Sequence, residues 1–209
     1  MNDVNGLPLR YRFVPPTDAV ATPLLMLHGT GGDEHDLLPL GQALSPGAAL
    51  LSPRGAVNEN GAARFFRRLR EGVFDEEDLR RRAADLVRFV EGARALHGLA
   101  APVAVGFSNG ANIAAALLLL HPGVLRAAVL IRAMPPLRQP PGLRIPGTPV
   151  LALSGLADPI APPVTAARLV SELSDAGAVV TAVALPAGHG LTDMDVAKAS
   201  TWLTEETLR

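Results

Sequence analysis

The chain has no cysteine, which excludes disulfides and thiolate metal sites and leaves the redox compartment open. It has no long hydrophobic run either: the longest, Ile113 to Leu120, is far short of the ~20 residues that a membrane helix needs. Neither sign of charge dominates, and a formal net charge of −1 gives no reason to expect nucleic acid or an anionic membrane as partner. Residues 1–6 carry no basic region followed by an apolar one, so no secretory signal is read there. A soluble cytoplasmic protein without stable membrane insertion is the default expectation. No internal repeat, low-complexity tract or linker interrupts the sequence. Residues 1–209 are therefore expected to form a single domain, and 48% apolar content supplies a sizeable core.

What is present is an alternation of strand-like and helix-like segments along the whole length, the pattern of a mostly parallel sheet with helices on both faces. Leu9 to Val14 reads as an antiparallel edge strand. Leu24 to Leu27, Ala48 to Ser52, Pro102 to Gly106, Arg126 to Ile131, Pro149 to Ser154 and Val179 to Leu185 read as the parallel core. A helical segment is expected over Asp33 to Leu44. Asp75-Glu76-Glu77-Asp78 opens a long helix whose buried stripe is Leu79, Ala83, Leu86 and Val90. Ala111 to Leu120 is apolar nearly all round and must be buried centrally.

The most informative motif lies just before that central helix. The apolar run Val103-Ala104-Val105 leads into Gly106-Phe107-Ser108-Asn109-Gly110, the context of a nucleophile elbow. On such a sharp strand-to-helix turn the serine backbone is strained, glycines stand two residues to either side, and the Oγ is exposed above the sheet. A serine needs a base to take its proton and a carboxylate to orient that base. In this topology they follow in the order Ser, Asp or Glu, His. Asp158 follows the run Val150 to Ser154 within Gly155-Leu156-Ala157-Asp158-Pro159, and His189 follows Val179 to Leu185 within Gly188-His189-Gly190.

The other histidines have more ordinary readings. His97 and His121 fall near helix ends, His28 ends a strand and His35 lies in the next helical stretch. Asp175, Asp193 and Asp195 compete with Asp158 but occupy a helix end and a helix start, where carboxylates are expected anyway. Thr192 and Asp195 read as a capping pair. His28-Gly29-Thr30-Gly31-Gly32 is a glycine-rich loop after an early strand, able to aim the Thr30 N–H at a developing oxyanion beside that of Asn109. It lacks the lysine of a phosphate-binding loop and the spacing of a dinucleotide fingerprint.

Together these residues resemble the small carboxylesterase and phospholipase group of α/β-hydrolases, which includes the acyl-protein thioesterases, and most closely its bacterial branch. The resemblance is carried by Leu27 to Glu34, Leu51-Ser52-Pro53-Arg54-Gly55, Glu59-Asn60-Gly61, Arg64 to Arg68, Gly106 to Asn112, Gly155 to Pro162 and Gly188-His189. It implies an α/β-hydrolase fold with a sheet of about seven strands. It also implies Ser108, Asp158 and His189 as a triad, Thr30 and Asn109 as oxyanion donors, and hydrolysis of carboxylic esters, thioesters or aryl esters. The expected enzyme uses no metal and no cofactor. A ligand-binding protein or receptor on the same fold, with slow or incidental turnover, is the alternative. The same machinery also serves acyl transfer to alcohols and peroxide chemistry.

Pro135, Pro136, Pro140, Pro141 and Pro146 argue against a helical lid, so an open site walled by short loops is expected. Phe65 and Phe66 could form an apolar substrate wall or ordinary core. Arg64, Arg67, Arg68, Arg132, Arg138 and Arg144 all follow strand ends, which suggests a basic mouth and anionic substrates unless acidic neighbours pair with them. Related folds often form homodimers, although no isolated apolar stripe here demands one.

Overall fold

β-Branched and leucine-rich segments form the strands that the sequence predicts. The computed structural model of the protein describes residues 6–207. Residues 1–5, on which the reading of no secretory signal partly rests, lie outside them. The elements run β1 (Tyr11–Val14), β2 (Leu24–Leu27), α1 (Leu38–Leu44), β3 (Leu50–Pro53), β4 (Val57–Glu59), β5 (Ala62–Arg64), β6 (Arg68–Arg70), β7 (Val73–Phe74) and α2 (Glu76–His97). They continue with β8 (Val103–Phe107), α3 (Asn109–Leu120), β9 (Ala127–Ile131), β10 (Pro149–Gly155), α4 (Pro163–Asp175), β11 (Val179–Leu185) and α5 (Asp193–Thr207).

Seven strands make one sheet in the order β1-β3-β2-β8-β9-β10-β11. Only β1 is antiparallel, pairing Tyr11 with Pro53 and Val14 with Leu50. Because side chains alternate across a strand, Leu25, Leu27, Ala104, Ala128 and Leu130 face a core shared with α2, α3 and α4. Leu24, Met26, Val103, Val105 and Val129 face a second core covered by α1 and α5. The stripe Leu79, Ala83, Leu86 and Val90 of α2 is buried, and α3 is buried almost throughout. Residues 132–148 contain no helix, so no helical lid is built there. Among the described residues no helix is long and apolar enough to cross a membrane.

Two segments differ from the sequence reading. The helix expected from Asp33 begins only at Leu38, because the Asp33 carboxylate accepts the His35 N–H at 2.8 Å and Pro39 sets the first helical turn. Between β3 and α2 the chain forms two short hairpins, β4–β5 and β6–β7, which carry too few apolar residues to announce themselves by periodicity.

Candidate active site

From β2 the chain passes to β3 on one side and later returns to β8 on the other. The carboxyl ends of β2 and β8 therefore flank a topological switch point, where open α/β sheets leave a crevice. β8 runs into Ser108, whose φ of 51° and ψ of −112° are strained for a residue with a Cβ. The flanking glycines admit this turn by close approach: a Cβ on Gly110 would sit 1.9 Å from Leu27 O, and one on Gly106 2.6 Å from Gly110 O. The Ser108 N–H donates to Ile131 O at 2.8 Å, which pins the turn to β9.

The loop after β11 brings His189 over Ser108, with Nε2 2.9 Å from Oγ. Nδ1 lies 2.8 Å from Asp158 Oδ2 and 3.0 Å from Oδ1. A carboxylate can only accept, so Nδ1 carries a proton and the neutral ring turns its Nε2 lone pair toward Ser108. Asp158 Oδ1 also accepts the N–H groups of Ile160 at 2.8 Å and Ala161 at 2.9 Å. Burial raises the pKa of this carboxyl group, but the Ala161 N–H, the His189 ring and the Ile160 N–H together outweigh it and hold the group below the usual carboxylate value. The structure thus brings together the three side chains that the sequence placed on separate loops.

Thr30 and Asn109 stand on either side of the same crevice, and both are held from the β4–β5 hairpin. Gly31 N–H donates to Ala63 O at 2.9 Å, and Arg64 Nη1 donates to Thr30 Oγ1 at 2.5 Å. Phe65 N–H donates to Asn109 Oδ1 at 2.7 Å. Beneath Thr30, buried His28 donates from Nδ1 to Gly29 O at 2.7 Å and accepts the Gly55 N–H on Nε2 at 2.9 Å. Burial lowers the His28 pKa more than the Gly29 carbonyl and nearby carboxylates raise it, so the ring is held neutral.

A cavity of about 380 Å³ opens on Ser108, His189, Thr30 and Asn109. Its apolar wall is Phe74, Phe107, Met134 and Ile160, and its polar side is Arg64, Arg68 and Glu71. The substrate-wall reading of Phe65 and Phe66 is corrected. Both are buried in the core, Phe65 against the His28 ring at 4.7 Å and Phe66 edge-on to Phe74 at 5.0 Å, whereas Phe74 and Phe107, which sequence reasoning did not choose, face the cavity.

Of the arginines expected at the mouth, Arg64 and Arg68 line the cavity, but neighbouring groups pair with them and with the others. Arg67 pairs with Asp75, Arg138 with Glu76, and Arg64 and Arg68 share Glu59. Arg144 donates to Asp175 O. Arg132 is not at the mouth at all: it is 1% exposed and bound to Asp195, whose carboxylate is the helix-start partner of Thr192. Among the described residues no group of three or more His, Asp or Glu side chains is placed to hold a metal ion.

No protein-family model matches the chain. It is 44% identical over 187 residues to MhqD of Bacillus subtilis (strain 168), a protein assigned as a hydrolase, covering 87% of this chain and 92% of that one. Its structure is similar to that of the Bacillus cereus carboxylesterase, with 42% identity, 94% of both chains covered and a TM-score of 0.92. It is also similar to a carboxylesterase from Mesorhizobium loti, with 35% identity, 95% of both chains covered and a TM-score of 0.90.

Proposed function

This chain belongs to the bacterial small carboxylesterase family of α/β-hydrolases and is an ester hydrolase, and on that footing we propose that it cleaves carboxylic esters through Ser108, His189 and Asp158. His189 Nε2 takes the proton from Ser108 Oγ as that oxygen attacks the carbonyl carbon. The N–H groups of Thr30 and Asn109 bind the resulting oxyanion, and each such donor contributes a factor of about 10² to 10³ in rate. Collapse of the intermediate breaks the bond to the leaving group, which departs with the proton from His189, and leaves an acyl-Ser108 ester. Water then attacks this ester, gives its proton to His189 and releases the acid as Ser108 recovers its hydrogen. Asp158 fixes the ring tautomer and stabilises the imidazolium throughout.

The observation that carries this reading is the unbroken chain from Ser108 Oγ through His189 to Asp158 at 2.9 and 2.8 Å. The cavity accepts a small acyl or aryl group against Phe74, Phe107 and Met134, and the leaving group is an alcohol, phenol or thiol. Hydrolysis of a chain-length series of aryl esters by the wild type and by Ser108→Ala tests the reading. The variant is expected to lose about 10⁶ in rate. Equal rates for the two proteins would leave a ligand-binding protein on this fold as the better account.

A further inference from the structure

Arg132 is a charged side chain where the packing alone calls for an apolar one. It follows the fully buried strand β9, and its φ of 57° places it in the left-handed region, which disfavours a residue with a Cβ. Of the three non-glycine residues with positive φ among those described, two, Ser108 and Arg132, directly follow the adjacent strands β8 and β9. Such backbone strain persists only where the surroundings over-determine it.

The five N–H groups of this guanidinium meet five contacts. Nε donates to Gly188 O at 2.8 Å and Nη2 to Gly190 O at 3.3 Å, the carbonyls on either side of His189. Nη1 and Nη2 grip Asp195 Oδ1 and Oδ2 at 2.7 and 2.8 Å, and Nη1 also reaches Leu153 O at 3.4 Å. Asp195 in turn accepts the Thr192 N–H at 2.9 Å and its hydroxyl at 2.8 Å. The His189 loop is thus fixed at residues 188, 190 and 192. The residue before Arg132 fixes the other partner, because Ile131 O accepts the Ser108 N–H. One short segment therefore sets both ends of the Ser108 to His189 contact.

We propose that Arg132, neutralised by Asp195, is a positioning residue that holds the His189 imidazole in register with Ser108. This rests on the triad reading above. The ion pair itself is not required for stability on general grounds, since well-packed apolar residues of similar volume often replace a buried ion pair without loss. A lysine would keep the charge but not the planar fork that spans two carbonyls and a carboxylate.

The test compares wild type, Arg132→Met/Asp195→Leu, Arg132→Lys and Ser108→Ala by melting temperature, kcat and KM on an aryl ester, and the downfield proton resonance of His189 Nδ1–H. The double variant is expected to remain folded but to melt below the wild type, because Gly188 O, Gly190 O and the Thr192 N–H lose their partners, to lose about 10- to 100-fold in kcat with KM nearly unchanged, as small misplacements of reacting groups do, and to show a broadened or shifted resonance. Arg132→Lys is expected to remain folded and to recover only part of kcat. A folded double variant with wild-type kcat and resonance overturns the proposal, and so does full recovery by lysine. Should the double variant fail to fold, the lysine result decides. The Ser108→Ala rate reports separately on the serine mechanism, and the Nδ1–H resonance reports on the clamp even in a protein without turnover.

Discussion

Replacing Asp158 by asparagine keeps the shape of the site and reverses its proton logic. Asp158 Oδ1 accepts two amides, from Ile160 and Ala161, and these N–H groups dictate which way an asparagine must turn. Its oxygen stays with them, so its NH₂ faces His189 Nδ1, where a donor already stands. The ring must then give up the Nδ1 proton and carry it on Nε2, pointing at Ser108 Oγ across 2.9 Å, where a lone pair is required. A wrong tautomer of this kind costs about 10⁴ in kcat, or ~5.4 kcal/mol at 1.36 kcal/mol per tenfold. KM should change little, because Asp158 lies behind the histidine and does not line the cavity.

The same substitution has a signature in stability. Asp158 titrates below its ordinary 3.8 in the folded protein, so the unfolded chain takes up the proton first as pH falls. Its contribution is fully present above the unfolded value and is lost as pH drops through the folded one. The wild type should therefore lose stability on acidification more steeply than Asp158→Asn. Steady-state kinetics and urea midpoints at several pH values measure both effects. A folded Asp158→Asn within tenfold of wild-type kcat refutes the reasoning.

Phe66→Ala should cost about 3–5 kcal/mol of stability and raise KM less than Phe74→Ala, which removes part of the cavity wall itself; thermal melts and a KM series on aryl esters separate the two. For His28, burial lowers the folded pKa below 6.5, so the unfolded chain binds the proton first and stability should fall as pH drops below ~6.5. Denaturation midpoints between pH 8 and 5 would show this as a slope that His28→Asn flattens. Gly110→Ala drives a Cβ to within 1.9 Å of Leu27 O and should abolish soluble folded protein, while Gly123→Ala, at φ 87° with open space around it, should cost only about 1–2 kcal/mol; soluble yield of the first and the melt of the second show whether close approach costs more than a positive φ.

The inner strands of the sheet, such as β2, β8 and β9, were legible because they are buried on both faces and read as plain apolar runs. Val179–Leu185 and Leu24–Leu27 have the boundaries that the sequence suggests. The positions of Ser108, Asp158 and His189 were legible for a related reason: each lies within four residues of the end of an apolar strand run, and strand ends converge in this topology. Arg132 was not legible as anything but a mouth arginine, since its partners lie 21 to 63 residues away. The one available signal was a charge set directly after the uninterrupted run Ala127–Ile131, a position where the fold offers no water. Asp195 misled for the opposite reason. Its spacing from Thr192 does form a helix-start contact, and that local role concealed the buried one.

The two proposed oxyanion donors show what a local motif leaves out. Glycines make the Thr30 loop and the Ser108 turn geometrically possible, but glycine-rich backbone is also free to leave that geometry, and donors stabilise a developing charge in proportion to how little they must reorganise. Here the rigidity is imported. The excursion between β3 and α2 ties Gly31 through Ala63, Thr30 through Arg64 and Asn109 through Phe65, and Gly55 locks His28 beneath them. Burial and the neighbouring Arg68 both work against the charge of Arg64, while Glu59 supports it. The hydrogen bond from this guanidinium to Thr30 holds the loop that presents the donor. The short polar hairpins, which periodicity passes over as irregular chain, thus turn a flexible loop into a preorganised one.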